Sequence, residues 1–146
     1  MKAIFFDINI ILDLFLKREP FYAASAQVFS LAETKQCHGY FGALSYPILF
    51  YLLKKELDRD EAMAILKKVR IVLKTAPLME KIIDSALSSD IRDFEDALQY
   101  YSALEVKNDY FITRNKKDYP ANLLQILTPD EFLSLLKSAS AEPNSP

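Results

Sequence analysis

Two short segments, Ile4-Phe5-Phe6-Asp7-Ile8-Asn9 and Asp93-Phe94-Glu95-Asp96-Ala97, each put a carboxylate where an apolar run gives way to another element. At such a junction a carboxylate can keep its charge and hold a hard cation, whereas deep in a core it would have to give that charge up. A third segment, Thr113-Arg114-Asn115-Lys116-Lys117-Asp118, adds Asn115 and Asp118 after another apolar run. Two or three of these carboxylates converging would suit Mg²⁺ or Mn²⁺, which take oxygen ligands and retain water. Such ions deprotonate a water and neutralise charge building on a phosphodiester.

Each residue also has a plainer role. Asp7 can simply cap the helix that follows it. Asp93 reads as an N-cap, with Asp96 three residues on completing a capping-box-like turn favoured by the helix dipole. Asp13 follows an apolar turn and either faces solvent or points back toward Asp7. Glu95 and Glu105 read as solvated. Arg114, Lys116 and Lys117 either solubilise a loop or, beside a site, suit a phosphate backbone.

Composition narrows the chemistry. Net charge −2 and a pI near 5.4 do not mark a nucleic-acid binder, so contact with phosphate must come from local basic groups or bound cations. Cys37 is the one cysteine, which excludes an internal disulfide and a Cys-based zinc site and suits a reducing cytoplasm. His38 is the one histidine and reads as an incidental residue near a strand start. Two glycines in 146 residues exclude a Gly-rich phosphate loop and suggest few positions of positive φ. No apolar run reaches the length of a membrane span, and the first one is broken at Asp7, Asn9 and Asp13. The expectation is a cytoplasmic protein with no membrane partner.

The elements that must position these groups alternate. Short apolar runs predict strands at 3–6, 39–43, 71–74, 110–113 and 124–127. Between them, periodic patterns predict helices at 9–16, 21–34, 46–57, 58–69, 77–87 and 93–106. Ser45 is the expected N-cap of the third helix, and Phe94, Ala97, Leu98, Tyr101 and Leu104 are expected on one face of the sixth. Thr128-Pro129-Asp130-Glu131 is a helix-start signature for a last one. This order argues for an α/β fold with four to five short strands in a mostly parallel sheet flanked by helices. Residues 1–137 are expected to form one domain, and the Ser/Ala/Pro-rich stretch 138–146 a flexible tail.

Taken together, Phe6-Asp7-Ile8-Asn9-Ile10-Ile11-Leu12-Asp13, Asp93-Phe94-Glu95-Asp96-Ala97-Leu98-Gln99 and Phe111-Ile112-Thr113-Arg114-Asn115-Lys116-Lys117-Asp118-Tyr119 resemble the PIN domain family. The close, Ile126-Leu127-Thr128-Pro129-Asp130-Glu131-Phe132-Leu133, matches as well, so the resemblance covers residues 1–136 in order and spacing. It implies a three-layer fold and, as in the VapC toxins of bacterial toxin–antitoxin pairs, an Mg²⁺- or Mn²⁺-dependent ribonuclease. It implies Asp7 as the first acidic ligand and Asp96 as the third. The fourth falls at Asn115 or Asp118, of which only Asp118 carries charge. Asn9 would orient the first Asp, Thr113 would line the site, and Arg114 or Lys116 would steer RNA. A small antitoxin would cover the groove, and a homodimer is expected, with the Tyr-rich helix 46–53 as either its interface or a core helix.

One position departs from the family pattern. A glutamate is expected in the first turn of the helix after the second strand, but the stretch reads Ser45-Tyr46-Pro47-Ile48-Leu49-Phe50-Tyr51. No carboxylate follows until Glu56, about two turns too late. Asp13, Asp93 or Glu95 would have to substitute, or the chain is a PIN-fold binding or regulatory module with little nuclease activity. Phe5-Phe6-Asp7-Ile8-Asn9 also faintly resembles the Asp-x-Asp start of haloacid-dehalogenase-type phosphatases, but Asn9 replaces the second Asp and the downstream order fits the PIN pattern better.

Overall fold

The computed structural model describes residues 1–141. Five strands, β1 (Ala3–Phe6), β2 (His38–Gly42), β3 (Lys74–Ala76), β4 (Tyr110–Ile112) and β5 (Ile126–Leu127), form one sheet in the order β3-β2-β1-β4-β5. Every neighbouring pair is parallel. Seven helices cover it: α1 (Ile8–Phe15), α2 (Tyr22–Glu33), α3 (Ser45–Leu53), α4 (Arg59–Val72), α5 (Glu80–Leu87), α6 (Phe94–Glu105) and α7 (Pro129–Ala141). A short 3-10 turn, Lys116–Asp118, follows β4.

The central strands are buried on both faces, which explains why they read as unbroken apolar runs. Ile4 and Phe6 point into the larger core with residues of α1, α2, α3 and α4. Phe5, one residue out of phase, faces the smaller core with Tyr100, Ala103 and Phe111. The Phe5 and Phe111 rings stack at 5.3 Å across the β1–β4 pair. Those two strands meet where the chain order reverses, so the sheet opens at their carboxyl ends.

Several expectations shift. The third strand is not 71–74: α4 runs on to Val72 and Ile71 lies exposed on it. Asp58 does open α4, through a reciprocal capping box with Glu61. Thr128 and Glu131 open α7 the same way, at 3.1 and 2.9 Å. Ser45 is not an N-cap; it lies inside α3, buried, and its hydroxyl faces Gln99. On α6 the buried positions are Ala97, Leu98, Gln99, Tyr100, Ser102 and Ala103, while Phe94 is exposed.

The scarcity of glycine does not mean scarcity of positive φ. Lys17, Lys35 and Lys107 adopt φ of 52°, 62° and 52° just past the ends of α1, α2 and α6. Glycine is the usual residue there, and a lysine instead places its charge near the negative end of the helix dipole. The stretch expected as a tail from 138 begins as helix, since α7 continues to Ala141; 142–146 lie outside the described residues. Among the described residues no helix is long and apolar enough to cross a membrane.

Candidate functional site

Asp7 is the first residue after β1 and stands at the start of α1, where its backbone is extended. Its amide joins the sheet by donating to Ile112 O at 3.0 Å, so the strand pairing fixes where its side chain emerges. The carboxylate is buried, with 3% of the residue exposed. Thr113 Oγ1 donates to Oδ2 at 2.7 Å and Gln99 Nε2 to Oδ1 at 3.1 Å. Burial pushes the Asp7 carboxyl above the usual carboxylate range, against the opposing pull of Thr113, Gln99 and the amides of Ile8 and Asn9.

Asp96 sits in the first turn of α6, whose N-cap Asp93 accepts from the Asp96 amide at 2.9 Å. Its Oδ1 accepts from the Tyr119 hydroxyl at 3.1 Å, and that hydroxyl accepts from Gln99 Nε2 at 2.8 Å. The Asp96 carboxyl is raised to about 6, by its own desolvation first and then by the charge of Asp93, with smaller contributions from Asp7 and Asp118. Burial likewise raises the Tyr119 phenol, with the charges of Asp7 and Asp96 adding to it. An unbroken path therefore runs from Thr113 through Asp7, Gln99 and Tyr119 to Asp96.

The expected site residues fare differently. Thr113, expected to line the site, stands against Asp7, to which its hydroxyl donates. The Asn9 side chain makes no hydrogen bond to Asp7 among the described residues; Thr113 and Gln99 do the orienting. The Asn115 amide donates to Thr113 Oγ1 at 3.1 Å. Asp118 is exposed on the 3-10 turn and shares a cavity with Asp96 rather than a hydrogen bond. That cavity, about 980 Å³, also offers Arg92, Lys117 and Tyr101.

Arg114 is not a free steering group: it is gripped by Asp13, which is fully buried and points neither to solvent nor to Asp7. Lys116 is paired with Glu131 at 3.0 Å. Ile48 lies in the first turn of α3, facing a small cavity of about 40 Å³ that Ser45, Glu95, Asp96 and Gln99 also line. Gln99 and Tyr119 are the residues that sequence reasoning missed. The signal for Gln99 was its spacing, three residues after Asp96 and so on the same side of the helix.

Among the described residues no three His, Cys, Asp or Glu side chains form a group that could hold a metal ion. The acids thus do not make a ready-built cage. Asp7 and Asp96 are nonetheless hard oxygen donors joined in series through Gln99 and Tyr119. Mg²⁺ is commonly held by one or two carboxylates with water completing the shell, and this pair fits that kind of ion.

The PIN domain profile matches residues 3–117 of this chain. No curated protein matches it. Among solved structures, VapBC2 from Rickettsia felis, bound to a DNA fragment from its promoter, is similar at a TM-score of 0.64 and 16% identity, covering 86% of this chain and 98% of that one. A toxin–antitoxin complex from Klebsiella pneumoniae gives 0.64 and 21%, covering 86% and 96%. VapC20 from Mycobacterium tuberculosis, a toxin that cleaves the sarcin-ricin loop, gives 0.60 and 16%, covering 74% and 86%. At these identities the likeness is one of fold.

Proposed function

The chain belongs to the PIN domain family, and from that premise we propose that it is a divalent-metal-dependent endoribonuclease of the VapC type. The observation that carries this reading is the linking of Asp7 to Asp96 at the carboxyl end of β1, through Gln99 and Tyr119, with Asp96 lining an open cavity. Asp7 and Asp96 would hold the ion, with Asp118 on the cavity wall as a third acid. When bound, a divalent ion supplies a water of lowered pKa and offsets charge on the scissile phosphate.

The chain's own groups do the rest. Thr113 and Gln99 take one oxygen each of Asp7 and fix its plane. Without metal the Asp96 carboxyl is raised to about 6, so an ion held there would have to displace a proton at lower pH. Arg92 and Lys117 stand on the cavity wall where an RNA backbone would pass. The likeness to toxin–antitoxin complexes supports a small antitoxin as partner, and α3, with Tyr51 exposed, is a face for a homodimer. The test is cleavage of a labelled single-stranded RNA over a Mn²⁺ and Mg²⁺ titration, with Asp7→Asn and Asp96→Asn beside wild type. Metal-dependent cutting lost in both variants is expected; equal cutting by all three proteins would sink the assignment.

A second reading is favoured by one observation. Ile48 brings no carboxylate to the site, and the described acids form no three-membered group. A PIN-fold module that binds RNA or a partner without cutting would show RNA retention with no metal-dependent cleavage.

A further inference from the structure

We infer that Gln99 is a positioning residue of the acidic site, holding Asp7 and Asp96 as a pair through Tyr119. This inference rests on the metal-dependent reading above and deepens it. The Gln99 side chain is buried, with 7% of the residue exposed, and both hydrogens of its amide have a use. One goes to Asp7 Oδ1 at 3.1 Å and the other to Tyr119 Oη at 2.8 Å. Flipping the amide would set a carbonyl oxygen against a carboxylate, so the partners fix its orientation.

The direction of the next bond follows. A phenol has one hydrogen, and Tyr119, already receiving from Gln99, spends that hydrogen on Asp96 at 3.1 Å. The ring cannot drift: it packs on Phe111 at 4.7 Å and lies stacked with Tyr100 at 6.3 Å. Gln99 on α6 and Tyr119 after β4 thus tie two separate elements to Asp7, the first residue after β1. Neither group need touch the ion. Each sets the separation and orientation of a carboxylate that would, and loss of such outer partners typically costs on the order of 10- to 100-fold in metal affinity.

Calorimetric titration with Mn²⁺ alone tests this, on wild type, Asp7→Asn, Gln99→Met, Tyr119→Phe and the double variant, each also melted without metal. Gln99→Met removes both donors at similar volume and should weaken Mn²⁺ binding by about tenfold or more. Tyr119→Phe keeps the ring packing and should weaken it too. The double variant should lose less than the two single losses added together, because Gln99 and Tyr119 are hydrogen-bonded members of one path. A purely structural role would lower the melting temperature and leave the affinity of the folded protein unchanged. Wild-type Mn²⁺ affinity in Gln99→Met would therefore overturn the inference. If Gln99→Met does not fold, wild-type affinity in Tyr119→Phe overturns it instead. A wild type without a Mn²⁺ site that Asp7→Asn removes would overturn the metal reading itself, and this inference with it.

Discussion

Arg114 donates through Nε to Asp13 Oδ2 at 2.8 Å, with Nη2 3.4 Å from Oδ1, so a carboxylate on α1 with no exposed surface is held by the residue that follows Thr113. The guanidinium also lies over the Phe21 ring at 4.3 Å. Arg18 stands farther off, at 3.9 Å. The pair anchors α1 to the segment carrying Asn115 and Asp118.

Removing the arginine should therefore cost more than removing an ordinary surface charge. Arg114→Met would leave Asp13 buried with Arg18 alone, and a buried pair broken on one side typically costs about 3–5 kcal/mol. Asp13→Asn, which buries no charge, should cost less. Urea denaturation of both variants decides it, and a larger loss for Asp13→Asn would contradict this account.

The acid pair makes stability without metal depend on pH in an unusual direction. Asp96 is raised from 3.8 to about 6, so the folded protein holds a proton there that the unfolded chain releases. Its contribution is then fully present below about pH 4 and is lost as pH rises through about 6. Asp7 and Asp13, also raised, act in the same direction. Metal-free protein should melt higher near pH 5 than near pH 7.5, and Asp96→Asn should flatten that slope. A divalent ion, binding the folded state, should raise the melting temperature at the higher pH. A metal-free protein more stable at pH 7.5, with Asp96→Asn unchanged in slope, would show that Asp96 is not so perturbed.

Much of this was legible in the chain because the strands are short, apolar and buried on both faces, and because Asp58, Asp93 and Thr128 are strong helix-start residues. The β3 error came from an apolar stretch that periodicity alone does not assign, since Ile71 and Val72 continue α4. Asp7 and Asp96 stood out because carboxylates at strand and helix ends are local features. Gln99 and Tyr119 did not, because their importance lies in contacts across 92 and 23 residues that local pattern does not carry. Asp13 was ambiguous for the same reason: its partner is 101 residues away.

Gly39 shows a second kind of constraint, one of space rather than conformation. A Cβ there would lie 2.4 Å from Leu73 Cδ2, 3.0 Å from Ala32 Cβ and 3.2 Å from Phe6 Cε2. Leu73 can rotate, but Ala32 has no side-chain torsion with which to yield, so α2 or β2 must shift. Gly39→Ala should destabilise by about 1–3 kcal/mol, the usual cost of overpacking. Gly42→Ala meets its nearest neighbour, Ser45 Oγ, at 3.3 Å and should cost less. Thermal melts of the two variants rank them, and the reverse order would refute this reading.

The vacant acidic position near Ile48 supplies the sharpest test of the site. Ile48 is half-buried in the first turn of α3 and shares its cavity of about 40 Å³ with Glu95, Asp96 and Gln99. Ile48→Glu would bring a further carboxylate into the cavity that Asp96 lines. Without metal, this like charge should raise the Asp96 carboxyl further and lower stability at neutral pH. With Mn²⁺ the same charge would serve as a ligand, and affinity should rise about tenfold, or about 1.4 kcal/mol. The two effects have opposite signs, so calorimetry and metal-free melting together separate a completed site from a merely damaged helix. If Ile48→Glu melts lower but binds Mn²⁺ no more tightly than wild type, the ion does not sit between Asp7, Asp96 and this turn of α3.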